Sequence, residues 1–160
     1  MSSTAFEKAT IEVRSPQPGV ALVVLAGEHD LYSGDELRQI LEASLACCDH
    51  LIVDLSAAEF IDSTIIHVLL QTMRSATELD RKFHVVLGTA PAVERILEVT
   101  GVIRLLGVVP TVEQALAAER RLGTVERPAT CNDELRQTSS PRPTSSMTRD
   151  ESALAPSAPA

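Results

Sequence analysis

The residues whose types and spacing could do chemistry fall into three groups in this 160-residue chain. The sharpest is Asp62-Ser63-Thr64, an acid followed by two hydroxyls at the head of an apolar run. Asp in that place reads as a helix N-cap, which puts the Ser63 hydroxyl on the first turn near the positive end of the helix dipole. A phosphoryl group is tolerated there, and it would add about −1.5 to −2 charges. The competing reading is that Ser63 only helps to cap the helix. A second group is Glu28 and Asp30, just after an apolar strand. In an open parallel sheet, segments following strand C-termini gather on one edge, so these acids and Asp62 could share a rim. The third group is Cys47, Cys48 and Cys131 with His29, His50, His67 and His84. The cysteine count is odd and there is no CxxC, which argues against a disulfide framework or a zinc site. Cys47 and Cys48 are read as one buried and one exposed thiol, both reduced. The histidines have no metal spacing, and His67 and His84 read as structural residues within a buried-looking helix and a strand.

Several function classes find no support. The chain contains neither GxGxxG, GxxxxGK[ST] nor GxSxG, so a phosphate cradle and a nucleophile elbow are both absent. Aromatic residues make up 2% of the chain and the formal net charge is −8. Both features weigh against nucleic acid as a partner, since base-stacking platforms are missing and a polyanion would be repelled. A basic protein surface is the natural complement. The start of the chain has no signal-peptide pattern and no apolar run approaches the roughly 18 residues of a membrane helix. The expectation is a cytoplasmic protein without membrane contact.

These side chains must be held by elements that alternate in period. Residues 1–9 read as a flexible N-terminus and 10–122 as one α/β domain. In residues 124–160, 16 of 37 positions are Ser, Thr or Pro, a composition that cannot bury enough surface to offset its ordering entropy. The segment 123–160 is therefore read as a disordered tail. Within the domain, Thr10–Arg14 and Val20–Leu25 read as a hairpin, the second strand apolar on both faces and so central. Ser33 and Glu36 fit a capping box ahead of a helix with Leu37, Ile40, Leu41 and Leu45 on one face. Leu51–Leu55 reads as a buried strand, followed by a connection to Ile61 and a helix to about Leu79. Phe83–Leu87 is a further strand, Thr89 a cap for a helix over 90–100 that Gly101 stops, and Val102–Val109 holds a short last strand. Thr111 with Gln114 opens a final helix to about Leu122. The order ββαβαβαβα predicts a mixed, mostly parallel sheet of about five strands packed with about four helices.

At these residues the chain resembles a known family. Leu51-Ile52-Val53-Asp54-Leu55-Ser56 followed by Phe60-Ile61-Asp62-Ser63-Thr64 resembles the signature of STAS domains, in particular bacterial anti-sigma-factor antagonists. Ala26-Gly27-Glu28-His29-Asp30 is similar to that family's Gly-Glu-x-Asp segment. Ala90–Val93, Arg95–Leu97, Thr100–Val102 and Thr111–Leu116 fit its later helices and turn. The resemblance implies a non-enzymatic module, needing no cofactor, that captures an anti-sigma factor with serine kinase activity and so frees a sigma factor. It implies phosphorylation at Ser63, with Thr64 as a weaker candidate, by a kinase that supplies ATP and Mg²⁺. A phosphatase resets Ser63, and Glu28, Asp30, Asp62, Ser63, Thr64 and His67 lie on the partner-binding surface. The family usually has Gly two residues after the phosphorylated serine, then an apolar and often a small residue; here Ile65, Ile66 and His67 follow, which is expected to narrow or reshape the docking surface. Two alternatives stand beside this reading: a STAS scaffold or sensor never phosphorylated at Ser63, and a small redox protein or enzyme using Cys47 and Cys48. A homodimer is left open.

Overall fold

Val, Leu, Ile and Ala supply nearly all of the apolar surface of this chain, and where they run without interruption they form strands covered on both faces. The computed structural model describes residues 9–119. The elements run β1 (Thr10–Arg14), β2 (Val20–His29), α1 (Leu31–Cys47), β3 (His50–Ile61), α2 (Ser63–Glu78), β4 (Lys82–Val86) and α3 (Pro91–Val99). A 3₁₀ turn (Val102–Arg104), β5 (Val108–Val109) and α4 (Val112–Glu119) complete them. They build one five-stranded sheet in the order β1-β2-β3-β4-β5. β1 is antiparallel to β2, and all later pairings are parallel. This mixed, mostly parallel sheet packed with four helices agrees with the expected order and sheet type.

Alternation along β2 shows how the two faces are covered. Ala21, Val23 and Leu25 join Leu37, Leu41, Ile65, Leu69, Val93 and Leu97 in the larger core beneath α1, α2 and α3. Val20 and Leu22 turn to the opposite face and meet Ile52, Val86 and Ala115, the last from α4. Each fully buried aliphatic side chain of this kind contributes roughly 1.5–3 kcal/mol.

Several expected boundaries are corrected, each for a local reason. β2 does not stop near Gly27 but continues to His29, and β3 continues through the expected connection to Ile61. Continued parallel pairing holds both extensions, with Ala26 opposite Ala57, Gly27 opposite Ala58, Glu28 opposite Phe60 and His29 opposite Ile61. Two register shifts absorb the breaks in alternation that made this stretch read as loop. α1 begins three residues earlier than expected because Asp30, not Ser33, is its N-cap: the Asp30 carboxylate accepts from Tyr32 N at 3.0 Å. Ser33 is the third helical residue, its Oγ accepting from Asp30 N at 3.0 Å. The expected Thr89 cap is not formed; Ala90 is the N-cap of α3, without a side-chain bond, and Pro91 starts the helix. Gly101 ends that unit with φ of 71°, as its place after the helix predicts. The expected last strand shortens to two residues, since Val102–Arg104 coils as a 3₁₀ turn first. Thr111 does cap α4, its Oγ1 accepting from Gln114 N at 3.3 Å. The readings of a flexible N-terminus and of a 123–160 tail lie outside the described residues.

Candidate functional site

β2 and β3 are parallel, so their C-terminal ends lie on the same edge of the sheet. The chain leaves β2 through Asp30 into α1 and leaves β3 through Asp62 into α2. The two exits are tied together, because Asp62 N donates to His29 O at 3.2 Å. Glu28, Asp30, Asp62, Ser63 and Thr64 therefore stand on one rim. Glu28, Asp30 and Ser63 are exposed, and Asp62 and Thr64 are half-buried.

Asp62 holds the mouth of α2. Its Oδ1 accepts from Ile65 N at 3.0 Å, and its backbone O accepts from Ile66 N at 3.2 Å. Ser63 is then the first helical residue, exposed, with its Cβ leaning toward the open N-terminus. Thr64 differs from it. The Cβ that Gly34 of α1 lacks would lie 2.8 Å from Thr64 Cγ2, so the methyl of Thr64 is seated against α1. Of the two hydroxyl residues, Ser63 is the one that faces solvent.

The departure at Ile65 is resolved inward. Ile65 is fully buried in the core beneath α2, so it adds no bulk to the rim, contrary to expectation. His67 is also corrected: it is not a buried structural histidine but an exposed one. Ser63, His67, Gln71 and Arg74 are all exposed and follow at spacings of four, four and three, which forms one stripe along α2.

Tertiary structure adds residues that pattern reading did not single out. Tyr32 is 90% exposed, Leu31 64% and Phe60 44%. Tyr32 and Leu31 open α1 and Phe60 pairs with Glu28 near the end of β3, so an apolar patch borders the acidic rim. Large exposed apolar side chains grouped with charge mark docking surfaces. The only sequence signal for Tyr32 is that it is the one tyrosine of the chain and sits beside a capping acid. Beneath the rim, His29 is fully buried, and its Nε2 lies 3.1 Å from Ala26 O, placed to donate to that carbonyl. Burial pushes its pKa below the usual value, with the Ala26 carbonyl opposing. Its Nδ1 has no hydrogen-bond partner among the described residues.

The remaining candidates lie elsewhere. Cys47 is half-buried and Cys48 buried. Cys48 is pushed up to about 12 by burial, so its nucleophilic thiolate is scarce at neutral pH. His84 is half-buried within β4, and its Nδ1 stands 2.8 Å from Nε2 of the buried His50. Among the described residues no group of three or more His, Cys, Asp or Glu side chains is placed to hold a metal. No described helix is long and apolar enough to cross a membrane.

The STAS domain family model matches residues 13–115, a span that includes both ends of the rim. The chain belongs to the STAS domain family. Solved structures with this STAS fold include an anti-sigma factor antagonist from Mycobacterium paratuberculosis. It is 32% identical, with a TM-score of 0.64, over 71% of this chain and 95% of that one. The anti-sigma factor antagonist SpoIIAA in its unphosphorylated form is 18% identical, with a TM-score of 0.59, over 72% of this chain and 100% of that one. SpoIIAA in its phosphorylated form, a Bacillus cell fate determinant, is 16% identical, with a TM-score of 0.55, over 68% and 98%. No curated protein sequence matches. At these identities the SpoIIAA structures speak to the fold of this STAS domain.

Proposed function

We propose that this STAS domain is an anti-sigma factor antagonist whose Ser63 is a reversible phosphorylation switch. In its unphosphorylated form it captures an anti-sigma factor with serine kinase activity, and a sigma factor is released. The observation that carries the reading is the exposed Ser63 on the first turn of α2, beside the capping Asp62 and on the same sheet edge as Glu28 and Asp30. The 32% identical neighbour from Mycobacterium paratuberculosis, an anti-sigma factor antagonist, supports the general role.

The chemistry belongs to the partner kinase and its ATP. Ser63 Oγ attacks the γ-phosphorus, the new O–P bond forms as the bond to ADP breaks, and the hydroxyl proton passes to a basic group of the kinase. Phosphorylation adds about −1.5 to −2 charges to a rim that is already acidic. Tyr32, Leu31 and Phe60 supply the apolar part of the docking surface and the acids steer a basic partner toward it. A 100-fold loss of affinity requires only about 2.7 kcal/mol, within the reach of one charged group placed at the centre of an interface. A phosphatase that removes the group restores docking.

Incubation of the full chain with the cognate kinase and ATP, followed by mass spectrometry, is the direct test. Phosphate on Ser63, lost in Ser63→Ala, is the expected result. Labelling that persists in Ser63→Ala, or that lands on Thr64, removes the site assignment.

A further inference from the structure

The exposed stripe of α2 that begins at Ser63 has a second polar member that the switch itself does not require. His67 lies four residues on, and both residues are exposed. Side chains at this spacing are neighbours, with Cβ atoms about 5–6 Å apart. The direction also matters. A helical side chain leans over the turn N-terminal to its own Cα, so His67 covers the surface above Ser63 and not the surface below it.

A phosphoryl group on Ser63 would meet an unfavourable local field without this neighbour. Asp62 adjoins it and already uses its carboxylate to accept from Ile65 N. Glu28 and Asp30 share the rim. From Ser63 to Met73, His67 is the sole basic residue of α2. The charged side chains carried by elements packed against α2 are mostly acidic: Asp35, Glu36 and Glu42 on α1 and Asp54 and Glu59 on β3, with His50 of β3 and His84 of β4 paired at the opposite end of the sheet. The cations on those elements are Arg38, which is paired with Asp35 at 3.3 Å, and Lys82, at the opposite end of the sheet from the rim.

We propose that His67 is a positioning residue for the modified state: its imidazolium donates a charge-assisted hydrogen bond to the phosphoryl group of Ser63 and seats that group over the first turn of α2. This rests on Ser63 as the phosphoacceptor. The amides of Ser63 and Thr64 supply the other donors, since the first N–H groups of a helix lack intrahelical partners. The phosphoryl group is then held in one orientation on the docking face, where its charge opposes the partner, and does not sweep freely above the helix.

The test uses the full chain with phosphoserine placed at position 63 during synthesis, which makes it independent of any kinase. Titration followed by ³¹P NMR reads the second ionisation of the phosphate directly. In His67→Gln the midpoint is expected to rise by about 0.3–0.7 pH units relative to the native residue, the size of an exposed helical charge pair. His67→Lys is expected to bring it back down, which a merely structural role for His67 would not do. Arg74→Gln, about three turns along the stripe, is the control and leaves the midpoint in place. A midpoint that is the same with His, Gln and Lys at position 67 overturns the proposal, and this result leaves the kinase labelling of Ser63 untouched. A shifted midpoint in a chain whose Ser63 no kinase labels upholds the contact and sinks the switch.

Discussion

Gly34 of α1 and Thr64 of α2 are packed so closely that a methyl on Gly34 would stand 2.8 Å from Thr64 Cγ2. Contacts this short are not sustained by real Cβ atoms, so this spot sets how near α1 comes to α2. It thereby sets the placement of the rim that carries Asp30 and Ser63. Gly34→Val is expected to cost about 1–3 kcal/mol through overpacking, measured by urea unfolding. In the Thr64→Ser background the opposing methyl is gone, and Gly34→Ala should then add up to about 1 kcal/mol through helix propensity. Loss of stability from Gly34→Ala in that background would mean that the contact is not what limits the approach.

Asp62 has a structural task separable from its charge. Its Oδ1 satisfies Ile65 N at 3.0 Å. Asp62→Ala should cost about 1 kcal/mol, and Asp62→Asn, which keeps the acceptor, much less. Partner affinity measured on the same pair separates the two tasks. If the rim acts through charge, Asn should fail in binding while it preserves the fold.

Tyr32 gives the proposed docking surface its most exposed large apolar side chain. Tyr32→Ala is expected to leave unfolding within about 0.5 kcal/mol of the parent and to weaken binding of the anti-sigma factor by about tenfold or more. Calorimetry of the complex reads this. Unchanged affinity would place the interface on another face of the domain. Ser63→Asp on the same platform should weaken binding as well.

At the edge opposite Ser63, the buried His50 pairs with His84 across 2.8 Å. Burial first, then the charges of His84 and Lys82, push His50 down to about 4. His84 is lowered mainly by its burial. A histidine whose folded pKa lies below its unfolded value of about 6.5 leaves stability intact above that pH. As the pH falls, the unfolded chain takes up the proton first and the folded state loses ground down to about pH 4. His50 alone should account for about 1.5 kcal/mol of the loss between pH 6.5 and 5. His50→Leu should flatten the pH dependence of urea unfolding in that window; an unchanged slope would show that His50 keeps its proton inside the fold.

Much of this protein was legible in its residues because the signals are local. Short apolar runs such as Val20–Leu25 and Leu51–Val53, bounded by turn residues or a polar break, read as strands buried on both sides. Asp62 ahead of an apolar helix announced its own cap, and Thr111 with Gln114 another. The order of elements, the family resemblance and the prominence of Ser63 all follow from such short-range patterns. What only tertiary structure decided were choices between partners far apart in the chain. Pairing between His29 and Ile61 kept Ala57–Phe60 in a strand despite broken alternation, and Asp30 outcompeted Ser33 as the cap of α1 because the lengthened β2 delivers it to the helix mouth. Ile65 and His67 lie two residues apart on one helix, yet one is sealed in the core and the other open to solvent. Apolar residues crowd both sides of His67 in sequence, so composition could not say which way it points. That was settled by where the sheet, α1 and the core come to lie around α2.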